Sequence, residues 1–147
     1  MRVRELLRKK PQGAISVEAT ANVAAAARLL MEHGIGGLPV VGRDSALVGF
    51  LSEREMVDAV DRHSSDVRDV RVLSIMRRPA PVCSADDPIR EVMERMTRER
   101  LRHLVALDEH RIAGVISVGD LVKHRLEELE TEASVLRDYV AGQRAVR

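Results

Sequence analysis

Aromatic residues are almost missing from this 147-residue chain: Phe50 and Tyr139 stand alone, tryptophan is absent, and the class totals 1%. A planar ligand must therefore be held by aliphatic side chains and backbone groups. The same shortage argues against single-stranded nucleic-acid binding, which relies on bases stacking on aromatic rings. Cysteine is just as scarce. With Cys83 alone there is no intramolecular disulfide and no Cys-x-x-Cys motif for metal or redox chemistry. A small buried apolar role suits it best. No stretch approaches the roughly 18 apolar residues of a membrane span. The opening segment MRVRELLRKKPQG is charged and too short of apolar residues for a signal peptide. The expected compartment is the cytoplasm. A net charge of +1 gives no overall pull toward nucleic acid or a membrane surface. Catalytic signatures are missing too: there is no HExxH, Walker loop or G-x-S-x-G, and His33, His63, His103, His110 and His124 are scattered. The expectation is a protein that is not an enzyme and needs no metal.

What the chain does contain is an ordinary globular mixture, 45% hydrophobic and 32% charged, written as a repeat. Its length suits one compact domain, or two half-sized units sharing one core. Val23 matches Ile89, Ile35 matches Leu101 and Leu38 matches Leu104, each 66 positions apart. After one deletion, Gly49 matches Gly114, Ser52 matches Ser117 and Glu55 matches Asp120, each 65 apart. A register held over a whole unit with one gap marks a duplication.

Each copy reads as β-α-β-β-α. Lead strands fall at Ile15–Val17 and Val82–Cys83. Thr20 and Asp86 or Asp87 sit where helix N-caps belong, and Pro88 suits a first helical turn. NVAAAARLLMEH and IREVMERMTRER carry helical apolar spacing. Gly34, Gly36 and Gly37 are expected to end the first helix. Paired strands follow, LPVV with LVGFL and HLVAL with IAGVI, and second helices start at Ser52 and Ser117. One copy of about fifty residues buries too little surface to be comfortably stable alone. The expected fold is therefore α/β (α+β), two repeats packed sheet to sheet about a pseudo-two-fold, plus a C-terminal helix. The boundaries read as 1–61 for the first repeat with its lead-in, 62–72 for a linker and 73–125 for the second repeat. An amphipathic helix spans 126–141 and a tail 142–147.

Chemistry concentrates where a strand turns into a helix, in Gly-hydrophobic-x-Ser-x-x-acid. The second copy has Gly114-Val115-Ile116-Ser117-Val118-Gly119-Asp120, and the first has Gly49-Phe50-Leu51-Ser52-Glu53-Arg54-Glu55. Glycine lets a ligand approach the backbone. Serine stands at a helix start, where unpaired N–H groups and the helix dipole favour phosphate. The carboxylate three residues on lies on the same helix face and can accept two hydrogen bonds from a ribose diol. Ser-x-x-acid is equally a capping box, and by itself the motif serves either role. Its recurrence at matching places favours a ligand. So do Arg102 and His103, which precede the strand facing Asp120 and supply positive charge.

These residues resemble a tandem pair of cystathionine-β-synthase (CBS) domains, the Bateman module, and the likeness covers nearly the whole chain. LPVV, the segment Ser52-Glu53-Arg54, RHL at 102–104 and ISVGDLVK at 116–123 carry it. The nearest likeness is to small stand-alone bacterial CBS-pair proteins. The resemblance implies adenosyl ligands (AMP, ADP, ATP, NAD(H), sometimes S-adenosylmethionine) bound in clefts between the copies. It implies that Asp120 holds the ribose hydroxyls, Ser117 approaches sugar or phosphate, and Arg102 and His103 meet the phosphates. Ile35, Gly36, Pro39 and Val115 would flank adenine. The related second cleft would use Ser52, Arg54 and Glu55, with Val82 and Leu101 beside the base. That cleft departs from the family pattern, because Glu55 stands where Asp is usual and Gly36 and Gly37 replace the Arg-His pair.

Beyond the second copy, Val122, Leu126, Leu129, Ala133, Leu136 and Val140 step by 4, 3, 4, 3, 4, an a/d heptad with charges between. So short a helix is marginal unless its stripe is covered. It either packs back on its own domain or forms a dimer contact. The second fits the flat homodimers common among CBS pairs. Gly142 is expected to end the helix and leave the tail frayed. The functional expectation is a regulatory sensor of an adenine nucleotide, working as a homodimer on an unknown regulated protein. A ligand-free interaction scaffold is the alternative.

Overall fold

The computed structural model describes residues 1–10, 13–63 and 65–146. Parts of the expected lead-in (11–12), linker (64) and tail (147) lie outside the described residues. A short helix α1 (Val3–Arg8) comes first. The first repeat then runs β1 (Val17–Glu18), α2 (Val23–His33), β2 (Gly37–Val41), β3 (Leu47–Ser52) and α3 (Glu53–Arg62). After a one-turn helix α4 (Val72–Ile75), the second runs β4 (Val82–Ser84), α5 (Ile89–Glu99), β5 (His103–Asp108), β6 (Arg111–Ser117) and α6 (Val118–Val146).

Each repeat forms a three-stranded sheet, in order β1-β2-β3 or β4-β5-β6, whose first pair is parallel and second antiparallel. Even the irregularities repeat. The antiparallel register shifts between Val40 and Val41 in one sheet and between Ala106 and Leu107 in the other. The residues that end α2 and α5, Gly34 and Arg100, both adopt the left-handed conformation, φ 61° and 55°. Gly34 alone caps α2. Gly37 instead belongs to β2, where an added Cβ would lie 2.6 Å from the Phe50 ring.

Local capping departs from expectation. Asn22, not Thr20, caps α2, its side chain accepting the Ala25 N–H at 2.9 Å. Pro88 occupies the cap position of α5. Asp87 is drawn off by the preceding turn, where it accepts the Ser84 N–H at 2.9 Å. Gly142 does not end α6, which runs unbroken from Val118 to Val146. Good helix formers on both sides, Ala141, Gln143 and Ala145, carry the chain through it.

Buried side chains form two clusters, and each is completed by the segment that leads into the other repeat. Val3 and Leu6 of α1 pack with Cys83, Val92, Leu104 and Ile116 of the second repeat. Val72 of α4, with Ile75 and Met76 beside it, packs with Leu30, Leu38 and Leu51 of the first. Isolated bridges mirror the exchange, Arg2 with Pro88 and Asn22 with Arg71. Arg4 fastens α1 further, its guanidinium bonding Asp86 at 2.9 Å and Asp108 at 2.7 Å. Cys83 is buried in this cluster, and burial pushes its thiol pKa up to about 11, which keeps it an inert apolar group.

Candidate functional site

Exchange of the lead-ins brings the N-terminal segment to the mouth of a cavity of about 430 Å³ between the repeats. Ile35 and Gly36 line it from the first repeat, and His103, Val115, Ser117 and Asp120 from the second. Six of the eight residues expected for the main cleft are therefore brought together. Pro39 is not among them: it is fully buried in β2, paired with Phe50. Arg102 is absent too. It precedes β5 and lines the second cleft, which His103 also borders.

Both Ser-x-x-acid motifs do form capping boxes. In the first copy Glu55 accepts the Ser52 N–H at 2.9 Å and also contacts the Ser52 hydroxyl. In the second, Asp120 accepts the Ser117 N–H at 2.9 Å, and the Asp120 N–H donates to Ser117 Oγ at 3.1 Å. Capping and facing the cavity are compatible for Asp120, because a carboxylate has lone pairs beyond the one used in the box.

Lys10 uses that spare capacity. Its Nζ donates to Asp120 Oδ2 at 2.9 Å and to the Val115 carbonyl at 2.8 Å. Burial alone would raise the Asp120 pKa, but the Lys10 ammonium and the Ser117 bonds outweigh it and hold the carboxyl below its ordinary value. His103 stands at the boundary of both clefts, its ring 5.4 Å from that of Phe50. Burial pushes its pKa below the usual histidine value against the pull of Asp120, Glu53 and Glu55. At neutral pH it is an uncharged hydrogen-bonding group.

The second cleft, about 350 Å³, is lined by Ser52, Arg54, Glu55 and Leu101 as expected, whereas Val82 pairs within its sheet and Pro81 takes its place. Arg77, Arg100 and Arg102 join Arg54 there, so four guanidiniums face two carboxylates, Glu53 and Glu55. In the main cleft Lys10 and Asp120 cancel. The positive charge lies on the side where the sequence placed glycines.

Two CBS domain matches cover residues 3–62 and 67–127. The chain belongs to the CBS domain family. Domain pairs of this family are regulatory modules, and some bind adenosyl ligands. The chain is similar to hypoxic response protein 1 of Mycobacterium tuberculosis, 28% identical over 102 residues, 69% of this chain and 71% of that protein. It is also similar to the CBS-domain protein ATU1752 of Agrobacterium tumefaciens, with TM-score 0.78 and 31% identity over 84% of this chain and 92% of that one. The CBS pair of protein MJ0100, solved in complex with 5′-methylthioadenosine and S-adenosyl-L-methionine, shares the fold, with TM-score 0.75 and 22% identity. That match spans 87% of this chain and 98% of the other.

In this CBS pair the sequence reading missed Lys10 and Arg77. Both belong to lead-in segments whose attachment to the opposite repeat only the fold establishes. One signal was available: the α1 and α4 segments share spacing, Val3-Leu6-Leu7 matching Val72-Ile75-Met76 at 69 positions. Among the described residues no group of three or more His, Cys, Asp or Glu is arranged to hold a metal ion. No helix among them is long and apolar enough to cross a membrane.

Proposed function

We propose that this CBS pair is a non-catalytic sensor of an adenosyl ligand, bound first in the cleft of Asp120 and reported through a homodimer to a regulated partner. One observation carries the reading: a carboxylate with 23% side-chain exposure faces a 430 Å³ cavity walled mostly by glycine and aliphatic residues. That volume falls within the range of small-ligand pockets. Ile35 and Val115 would enclose adenine from its two faces. Asp120 would accept the ribose diol once Lys10 gives way, which leaves the Lys10 ammonium beside the phosphate end. Neutral His103 adds a hydrogen-bonding group. Regulation requires only that the ligand favour one arrangement of the two repeats over another.

The Arg-lined second cleft is a site for a more highly charged ligand of the same class. The protein and its regulated partner would work in the cytoplasm.

Calorimetry with AMP, ADP, ATP, NAD⁺, NADH and S-adenosylmethionine tests it. Saturating one of them at 100 times its Kd should add about 2.7 kcal/mol of stability. Asp120→Ala should then weaken binding roughly 10- to 100-fold, the range for hydrogen bonds to a charged group. Glu55→Ala should matter less. If no compound in the panel shifts the unfolding transition, the scaffold alternative replaces the sensor.

A further inference from the structure

Beyond the body of the molecule, α6 runs on without an intrachain partner among the described residues. Leu121 and His124 are buried against the second repeat, but every described residue from Arg125 onward is exposed. The last twenty residues of the helix project about 30 Å. Its apolar stripe does not pack back: Val122 is 52% exposed and Leu136 62%. A groove of about 530 Å³ between α5 and α6, lined by Met93, Met96, Leu121, Val122 and Leu126, continues the stripe into the body.

The charges beside the stripe say what covers it. With Leu126, Ala133 and Val140 at a and Val122, Leu129 and Leu136 at d, the g positions hold Arg125, Glu132 and the uncharged Tyr139. The e positions hold Lys123, Glu130, Arg137 and Arg144. These flanking charges set orientation in coiled coils. In a parallel pair each g residue lies beside the e residue five places on in the other chain. That sets Arg125 against Glu130 and Glu132 against Arg137, each twice. In an antiparallel pair of full overlap, g meets g and e meets e. Glu132 then faces Glu132, Glu130 faces Glu130, and Lys123 faces Arg137. Sliding the antiparallel pair by one heptad restores opposite charges, but carries Leu136 and Val140 past the end of the other stripe.

Within the chain, Glu130, Glu132 and Arg137 make no ion pair or side-chain hydrogen bond among the described residues. Arg125 bonds only the exposed Glu128, at 3.0 Å, a contact it can exchange.

We infer that α6 pairs with α6 of a second copy as a parallel, in-register, two-stranded coiled coil. This rests on the homodimer reading and sharpens it, because it fixes the two-fold axis along the helices. Both ligand-bearing bodies then lie at the same end of the coil.

Gln143→Cys tests it, since 143 is the next d position and is polar and exposed. In a glutathione redox buffer the parallel coil should give a disulfide-linked dimer on a non-reducing gel. Wild type, whose thiol at Cys83 is buried, should give none. In the full-overlap antiparallel pair the two thiols are about 36 Å apart. A dimer by sedimentation that fails to cross-link overturns the parallel coil and leaves the homodimer standing. Sedimentation at the 16.4 kDa monomer mass overturns both. Glu130→Lys with Glu132→Lys, and separately Arg125→Glu with Arg137→Glu, should each weaken self-association roughly 10- to 100-fold. Mixed together, the two variants should form the heterodimer preferentially; indifferent mixing refutes the charge pairing.

Discussion

Lys10 and Asp120, 110 positions apart, meet at 2.9 Å across the mouth of the main cleft, with side chains 27% and 23% exposed. The bond ties the lead-in of one repeat to the cavity-lining acid of the other. Oδ2 accepts both the ammonium and the Ser117 N–H, so a ribose diol bound at this carboxylate, as proposed, would contend with Lys10.

Removing the competitor should help an uncharged ligand. Lys10→Ala is expected to tighten adenosine binding roughly 5- to 10-fold, since a charge-assisted bond no longer has to be broken. Titration calorimetry reads this directly. Weaker adenosine binding in the variant would mean that Lys10 supports the ribose site rather than competing for it.

Arg102 should behave as a residue of the second cleft. Arg102→Ala is expected to leave adenosine affinity at the Asp120 cleft unchanged. It should weaken ATP binding at the Arg-lined cleft by roughly 3- to 10-fold, more at low salt than at high. Loss of adenosine binding would return Arg102 to the main cleft.

His103 predicts a pH dependence. Its folded pKa lies below the ordinary histidine value because burial disfavours the imidazolium. The unfolded chain therefore takes up the proton first as pH falls. Stability contributed by this group is complete above about pH 6.5 and declines below it, until the folded-state pKa is reached. Asp120, held below its ordinary value, contributes in a separate and more acidic window, lost as pH falls below about 4. An NMR titration of His103 should give a midpoint below that of a histidine in an unfolded reference peptide. A midpoint at or above the reference would contradict the burial argument.

The exchanged lead-ins predict an asymmetry between equivalent glycines. A Cβ on Gly49 would sit 2.6 Å from Met76 Sδ and 2.8 Å from the Arg77 carbonyl oxygen, which is backbone and cannot swing aside. On Gly114 it would meet the tip of Leu7 at 2.7 Å, a side chain that can move. Gly49→Ala should cost about 1–3 kcal/mol and Gly114→Ala less. Urea denaturation of the two variants decides the order.

The duplication, the strand and helix order, the strand-to-helix position of Ser117 and Asp120, and the apolar stripe of α6 were all legible in the linear chain. They depend on local periodicity and on register within one repeat, and both survive in a sequence. The fate of single residues at segment ends was less legible. Thr20 against Asn22, or helix against termination at Gly142, turns on a hydrogen bond or two that neighbouring turns compete for.

Tertiary structure alone decided which lead-in serves which repeat. Val3 and Leu6 look as fit for the first core as for the second, because burial is non-directional and any apolar surface of the right shape will take them. Once the fold sends α1 to the second repeat and α4 to the first, Lys10 arrives at Asp120 and Arg77 at the Glu55 cleft. Arg102, just before β5, lines only the second of the two clefts, whereas His103 borders both. The sequence by itself determined that there are two related clefts and which carboxylate faces each. The distribution of positive charge between them followed from long-range packing, which no local pattern encodes.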